Sequence, residues 1–347
     1  MKEIIKTLTY LDRKKDFSFN KKEVDFLINL NKNLFDHIDS KLNNEFTYGF
    51  NLHGKDHIRS VFKNALFFYK KIKNKINDKT LAVSILYHDV GNLIERKNHH
   101  FFSKKILEEI FKNYEFKNLE EEKIISSVYF HELEGIKSSP LKIKLFENFF
   151  KNKKLDLISF KRFERQIEKL NRLLPEESKI LFIADNLDIG PHRLPIKNFK
   201  SQDFFITEKD IHIFINSLWK FEGADFLKEE LTLTFKFNPY LKKSKVKNKT
   251  LYRLIFKGKR IYFPDWAYKI YKNHHISFFD ISLASLFALY KELIYVFFLL
   301  NKIFKKDIKL KFVDEKGYFE RIIYLKKENF SKNMYYGLIL PFRLHKI

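Results

Sequence analysis

Apolar residues recur at helical spacing through most of the first half of the chain. In residues 1–45 the run Val24, Phe26, Leu27, Ile28, Leu34 and Ile38 predicts helix. From His57 onward Ile58, Val61, Phe62, Ala65 and Leu66 predict a second helix, with His57 in its first turn and His53-Gly54 in a loop before it. Leu81 to Tyr87 is apolar except for Ser84, which predicts a helix buried on most sides. That helix ends in His88-Asp89, and Gly91 reads as its stop. Phe101–Phe111 follows as a helix after His99-His100. Leu119–His131 is another, with Ile124, Ile125, Val128 and Tyr129 on its apolar side. Phe160–Leu174 is amphipathic. Pro175-Glu176-Glu177 then opens a helix over Ser178–Leu187, which carries Asp185 inside the apolar run ILFIADNLDIG.

Near Pro195 the period shortens. Ile196–Phe199, Phe204–Thr207 and Ile211–Ile215 read as strands, with a turn at Glu208-Lys209-Asp210. Gly223–Phe235 reads as helix, and the lysine-rich Lys242–Lys249 as a linker. Leu251–Phe256 and Arg260–Phe263 flank Lys257-Gly258-Lys259 as a hairpin. A long apolar helix is expected over Ser277–Phe304, then strands near Lys309–Val313, Phe319–Leu325 and Tyr335–Leu340. The expected fold class is α+β: an all-α domain followed by a smaller mixed α/β region. The expected boundaries are an N-terminal helical extension at 1–45, the helical domain at 46–195 and the α+β region at 196–347.

Composition narrows the chemistry. The chain has 347 residues and no cysteine, which excludes disulfides, iron–sulfur clusters and thiolate zinc sites and suits a reducing cytoplasm. The N-terminus, broken by charges, reads as neither signal peptide nor anchor. Asp280, Lys291 and Glu292 interrupt the most apolar stretch, so no run of ~20 apolar residues spans a membrane. A formal charge of +24 raises nucleic acid as a partner. Lysine is spread along the whole chain, however, and no compact arginine- and aromatic-rich motif is present, so a solvated surface is favoured. Oligomeric state is not legible.

Six of the twelve histidines lie between His53 and His131. Five helices or helix ends bring His57, His88-Asp89, His99, His131 and Asp185. Such a set without thiols fits a divalent ion of manganese, iron, cobalt, nickel, zinc or magnesium, one or two per chain. Asp89 is the natural bridge between two ions, since a carboxylate offers one oxygen to each.

The ordered motifs HGKDHIRSV, LYHDVGN, HHFFS, FHE and IADNLD resemble the HD superfamily of metal-dependent phosphohydrolases. Over residues ~46–195 the resemblance implies a core of His57, His88, Asp89 and Asp185, with His99 and His131 added in members that hold two metals. His100 is the less favoured of its pair. Within the superfamily, HHFFSKKIL and ILFIADNLDIGPHRLPIKNF are similar to the C-terminal HD domain of exopolyphosphatase/guanosine-pentaphosphatase proteins. The actin-like domain that carries their phosphatase chemistry is missing here. The implied activity is hydrolysis of a nucleotide or related phosphate ester by a metal-bound hydroxide, with a non-catalytic sensor or scaffold as the alternative. Lys55, Arg59, Arg96 and Arg193 flank the motifs as candidate phosphate binders. His53 is expected to hydrogen-bond its loop, and Asp188 to cap or support the Asp185 helix. His37, His192, His212, His274, His275 and His345 are expected in surface or core polar roles.

Overall fold

The computed structural model describes residues 1–45, 53–132, 171–193, 203–205, 218–237, 242–246, 249–256, 259–262, 292–314 and 320–329, with single positions at 165, 168 and 216. The expected elements at Phe160–Leu174, Ile196–Phe199, Ile211–Ile215 and Tyr335–Leu340 lie wholly or mostly outside these residues, as does the first half of Ser277–Phe304.

Helices come first: α1 (Lys2–Arg13), α2 (Lys21–Leu30), α3 (Lys32–Glu45), α4 (Lys55–Ile72), α5 (Asp78–Tyr87), α6 (His99–Asn113), α7 (Glu121–Tyr129) and α8 (Glu176–Asn186). Two of their starts are capped by asparagine side chains. The Asn20 side chain accepts the Glu23 N–H at α2, and Asn77 accepts from Lys79 and Thr80 at α5. In α1 the stripe Ile4, Leu8 and Leu11 is buried, as its spacing requires. The central element is α5, buried at every position from Thr80 to Tyr87 and packed against α4, α7 and α8. Its buried polar side chains are engaged: Thr80 donates to Glu120, Ser84 to Thr80 O, and the Tyr87 hydroxyl to Asn31 between α2 and α3.

Gly91 has a different role from the one expected. The helix ends at Tyr87, and Gly91 lies in a 3₁₀ turn, Val90–Leu93, pressed onto the start of α6. A Cβ there would collide with the backbone of His99 and Ser103, and the Gly91 N–H donates to Ser103 Oγ at 2.7 Å.

Among the described residues the strands form two four-stranded sheets. One has the order β1 (Asp203–Phe205), β6 (Lys259–Tyr262), β5 (Lys249–Phe256), β4 (Lys242–Val246). The other has the order β2 (Trp219–Phe226), β3 (Glu230–Phe237), β7 (Asp307–Asp314), β8 (Glu320–Leu325). The second sheet is mixed: β3 and β7 pair parallel, and the outer pairs run antiparallel. The helix α9 (Glu292–Phe304) precedes β7 and is buried from Leu293 to Asn301. The fold is thus α+β, and the described residues of 55–190 contain no strand.

Two expectations fail here. Gly223–Phe235 is no helix but the body of the β2–β3 hairpin, whose register runs from Trp219↔Phe237 to Phe226↔Leu231. Leu231, Leu233, Phe235 and Phe237 alternate with Thr232, Thr234 and Lys236, a period of two. The supposed linker Lys242–Lys249 is mainly strand β4, paired to β5. It stands at a sheet edge, where lysines are favoured because they deter pairing with another chain.

Aromatic contacts tie the second sheet to the helices. Phe67 meets Phe221, Phe68 meets Phe226 and Phe304, and Phe182 on α8 meets Tyr295 on α9. One continuous apolar core therefore runs from α1 to β8. Backbone bonds carry the coupling to the chain after α8, where Phe221 N–H donates to Ile189 O and Gly190 N–H to the Asn216 side chain.

Candidate metal centre

Five helix ends converge at one end of α5. His57 is in the first turn of α4, His88 and Asp89 follow α5, His99 opens α6, His131 follows α7, and Asp185 is in the last turn of α8. His57, His88, Asp89, His99 and His131 are all nearly inaccessible.

Four of these histidines share one arrangement. His57 donates its Nδ1–H to Asp188 Oδ2 at 2.6 Å, and His88 donates to Ile85 O at 2.9 Å. His99 donates to Arg96 O at 2.9 Å, and His131 to Val128 O at 2.6 Å. A carboxylate or carbonyl only accepts, so the proton sits on each Nδ1 and the lone pair on each Nε2. Arg193 and Arg96 also approach the Nδ1 atoms of His57 and His99, at 2.7 and 2.8 Å. A guanidinium can only donate, so those approaches are not the bonds that set the tautomers. Arg193 donates instead to Asp188 Oδ2 at 2.9 Å.

The Nε2 lone pairs then face one another. His57 and His88 are 3.1 Å apart at Nε2, and His99 and His131 are 3.0 Å apart. Two lone pairs at that distance repel unless a proton or a cation lies between them. Asp89 joins both pairs: its Oδ2 lies 3.2 Å from His57 and 3.4 Å from His88, and its Oδ1 lies 3.0 Å from His99 and 3.8 Å from His131. Asp185 Oδ1 completes the first group at 3.4 Å from His57 and 3.6 Å from His88. Ligands about 2.1 Å from one ion at tetrahedral angles stand roughly 3.4 Å apart. The donor set and its spacing therefore fit a divalent cation.

The electrostatics agree. Burial lowers the pKa of His131 to about 3, helped by His88 and His99, which leaves its ring neutral. Burial works against a proton on His88 too, yet Asp89 and Asp185 outweigh it and raise that pKa well above the usual value. With no metal in the site, a proton there would take up the same negative charge. Asp89 and Asp185 stay ionised although burial opposes it, because histidines surround them.

Other residues sit elsewhere than the sequence suggests. Asp188 is no mere cap: it anchors His57, His192 at 2.6 Å and Arg193. Arg193 is buried in that network and so is taken up by the protein's own carboxylate. Arg59 lies on the surface, paired with Asp25 and Asp56. Lys55 is half-buried at the start of α4, and Arg96 lies beside the second group. His53 lies in the loop before α4 as expected, but its ring is buried against Asp89, with Nδ1 at 2.6 Å from Oδ2, and does not bond the loop. Glu132, absent from the expected set, stands with Oε1 3.3 Å from His99 Nε2 and Oε2 3.6 Å from His100 Nδ1. Its place directly after His131 in the FHE motif was the available signal.

Residues 55–190 match the family model of the HD domain, which supports the HD superfamily for that span. No curated protein and no solved structure matches the chain, so the narrower likeness to exopolyphosphatases rests on the motifs alone. Among the described residues no helix is long and apolar enough to cross a membrane.

Proposed function

We propose that the HD domain is a metal-dependent phosphohydrolase or phosphodiesterase acting on a nucleotide or related phosphate ester in the cytoplasm. The observation that carries this reading is the convergence of four Nδ1-protonated histidines, whose Nε2 lone pairs point at the two oxygens of one buried aspartate. His57, His88, Asp185 and Asp89 Oδ2 would hold a first ion. His99, His131 and Asp89 Oδ1 would hold a second, with Glu132 at its side. A divalent cation in such a site supplies Lewis acidity, drawing charge from phosphoryl oxygens and acidifying water.

The chain's own groups supply the rest. Asp188 holds the His57 ring in one tautomer, and the Ile85, Arg96 and Val128 carbonyls do so for the other three histidines. Arg96 and Lys55 are the candidate contacts for substrate phosphate. Nucleic acid is the less favoured partner; binding to RNA or DNA with a steep salt slope would bring it back.

The test is elemental analysis of the purified protein beside a panel of phosphomonoesters and phosphodiesters with Mn, Mg, Co and Ni. Hydrolysis that disappears with a chelator and returns with metal is the expected result. Asp89→Ala should lose both ions and all activity, whereas His131→Ala should retain the ion held by His57, His88, Asp89 and Asp185. No bound metal, and no activity with any added ion, overturns the reading.

A further inference from the structure

His53 stands four residues before His57 and outside the span that matches the family model. Its Nδ1 lies 2.6 Å from Asp89 Oδ2. That is shorter than the roughly 3 Å or more between two ligands of one ion with bonds of about 2.1 Å, and it is the length of a strong hydrogen bond. The direction of the bond is set by the carboxylate, which can only accept, so Nδ1 carries the proton and donates it to Asp89. Nε2 of His53 lies 3.3 Å from Arg193 Nη2, and a guanidinium has only protons to give. With the proton on Nδ1, the Nε2 lone pair faces that guanidinium.

Both ends of this contact are fixed. The His53 backbone N–H donates to Asp39 Oδ1 of α3 at 3.1 Å. Arg193 is held by Asp188, the same carboxylate that orients His57. His53 thus closes a buried chain of contacts that starts at one ligand candidate, His57, and returns to another, Asp89.

We infer that His53 is a positioning residue: its Nδ1–H holds the Asp89 carboxylate in the plane where Oδ2 faces His57 and His88 while Oδ1 faces His99 and His131. The inference rests on the proposed metal-holding reading of the site. Without the bond the carboxylate can turn and give both oxygens to one ion. The second ion then loses its bridge, although His99 and His131 are untouched.

The experiment compares wild type with His53→Ala, His53→Asn and His53→Gln after loading with Mn(II) and removal of free metal. Asparagine puts an amide N–H near the place of Nδ1 and can restore the bond. Glutamine puts it near Nε2, on the Arg193 side, and cannot. Elemental analysis gives ions per chain, and electron paramagnetic resonance separates an exchange-coupled manganese pair from an isolated ion. Wild type and His53→Asn should hold a coupled pair. His53→Ala and His53→Gln should hold one isolated ion, with affinity for the second reduced about 10–100-fold. A coupled pair in His53→Gln overturns the inference, and so does an isolated ion in His53→Asn. Wild type with a single ion overturns it as well. Wild type with no manganese overturns the metal reading itself, a distinct result. Melting curves accompany every variant, and if His53→Ala fails to fold, the Asn and Gln pair carries the test.

Discussion

Replacing Asp188 by asparagine tests how far the centre depends on a residue that touches no ion. Its carboxylate is inaccessible and takes three donors: the His57 ring and Arg193 on Oδ2, and His192 on Oδ1. Burial alone would push its carboxyl up, but His192, His57 and Arg193 hold it well below the usual range. Asp188→Asn keeps the shape and removes the charge. Two separable losses follow. The His57 ring loses its charged acceptor, and such changes cost about 10–100-fold in metal affinity, or about 1.4–2.7 kcal/mol. Arg193 loses its carboxylate while buried, and breaking a buried pair costs about 3–5 kcal/mol. The lower end applies, because Arg193 also reaches His53. Thermal melts with excess chelator read the second loss, as a lower Tm in the metal-free protein. The extra stabilisation on adding a fixed excess of Mn(II) reads the first, because it grows as the logarithm of metal over Kd. A variant that gains as much stability from metal as wild type refutes the argument that Asp188 orients His57.

Gly91→Ala would drive a methyl group into the backbone of His99 and Ser103, so it should cost about 1–3 kcal/mol in urea unfolding and lower metal content; unchanged stability would contradict the close packing of the 3₁₀ turn on α6. Arg59→Ala should shift stability by no more than about 1 kcal/mol and leave hydrolysis intact, since its partners Asp25 and Asp56 are exposed surface groups; a large loss of activity would place it at the substrate. Phe235→Ala should cost about 3–5 kcal/mol and lower the single melting transition of the whole chain, because Phe235 is fully buried against Phe221 and Phe312. Two separate melts, with the metal-dependent one unmoved, would show that the sheet and the helices unfold independently.

The helices were legible because their apolar stripes are long and uninterrupted, as in Ile4, Leu8 and Leu11 or Ile58, Val61, Phe62 and Ala65. The β2–β3 hairpin was not, because a window over Gly223–Phe235 straddles its turn and mixes two strands of opposite direction. Each strand alone alternates cleanly. Strand β4 was hidden by composition: a run of lysine looks like a solvated linker, yet an edge strand needs only one paired side. Its partner β5 lies across a short connection and was itself read as a strand.

The candidate ligands could be read because metal chemistry restricts them to histidine and carboxylate and because each stands at the start or the end of a helix with an apolar stripe. The residues that orient them carry no such mark. Asp188 lies 131 positions from His57, and Arg193 lies 140 from His53; only the folded chain brings them within hydrogen-bond reach. They also lie where the chain is held from outside the matched span. Asp39 of α3 fastens the His53 backbone, the Lys41 amino group reaches the carbonyls of the turn after Asp89, and the β2 backbone fastens Ile189 beside Asp188. A metal centre must hold its donors close to one geometry, and helix ends alone fray and shift. The N-terminal helices and the C-terminal sheet supply the missing restraint, each by backbone or side-chain bonds that reach the residues next to the ligands. The segments flanking the HD span are therefore part of what shapes the site, and changes in them should alter metal affinity without touching a single ligand.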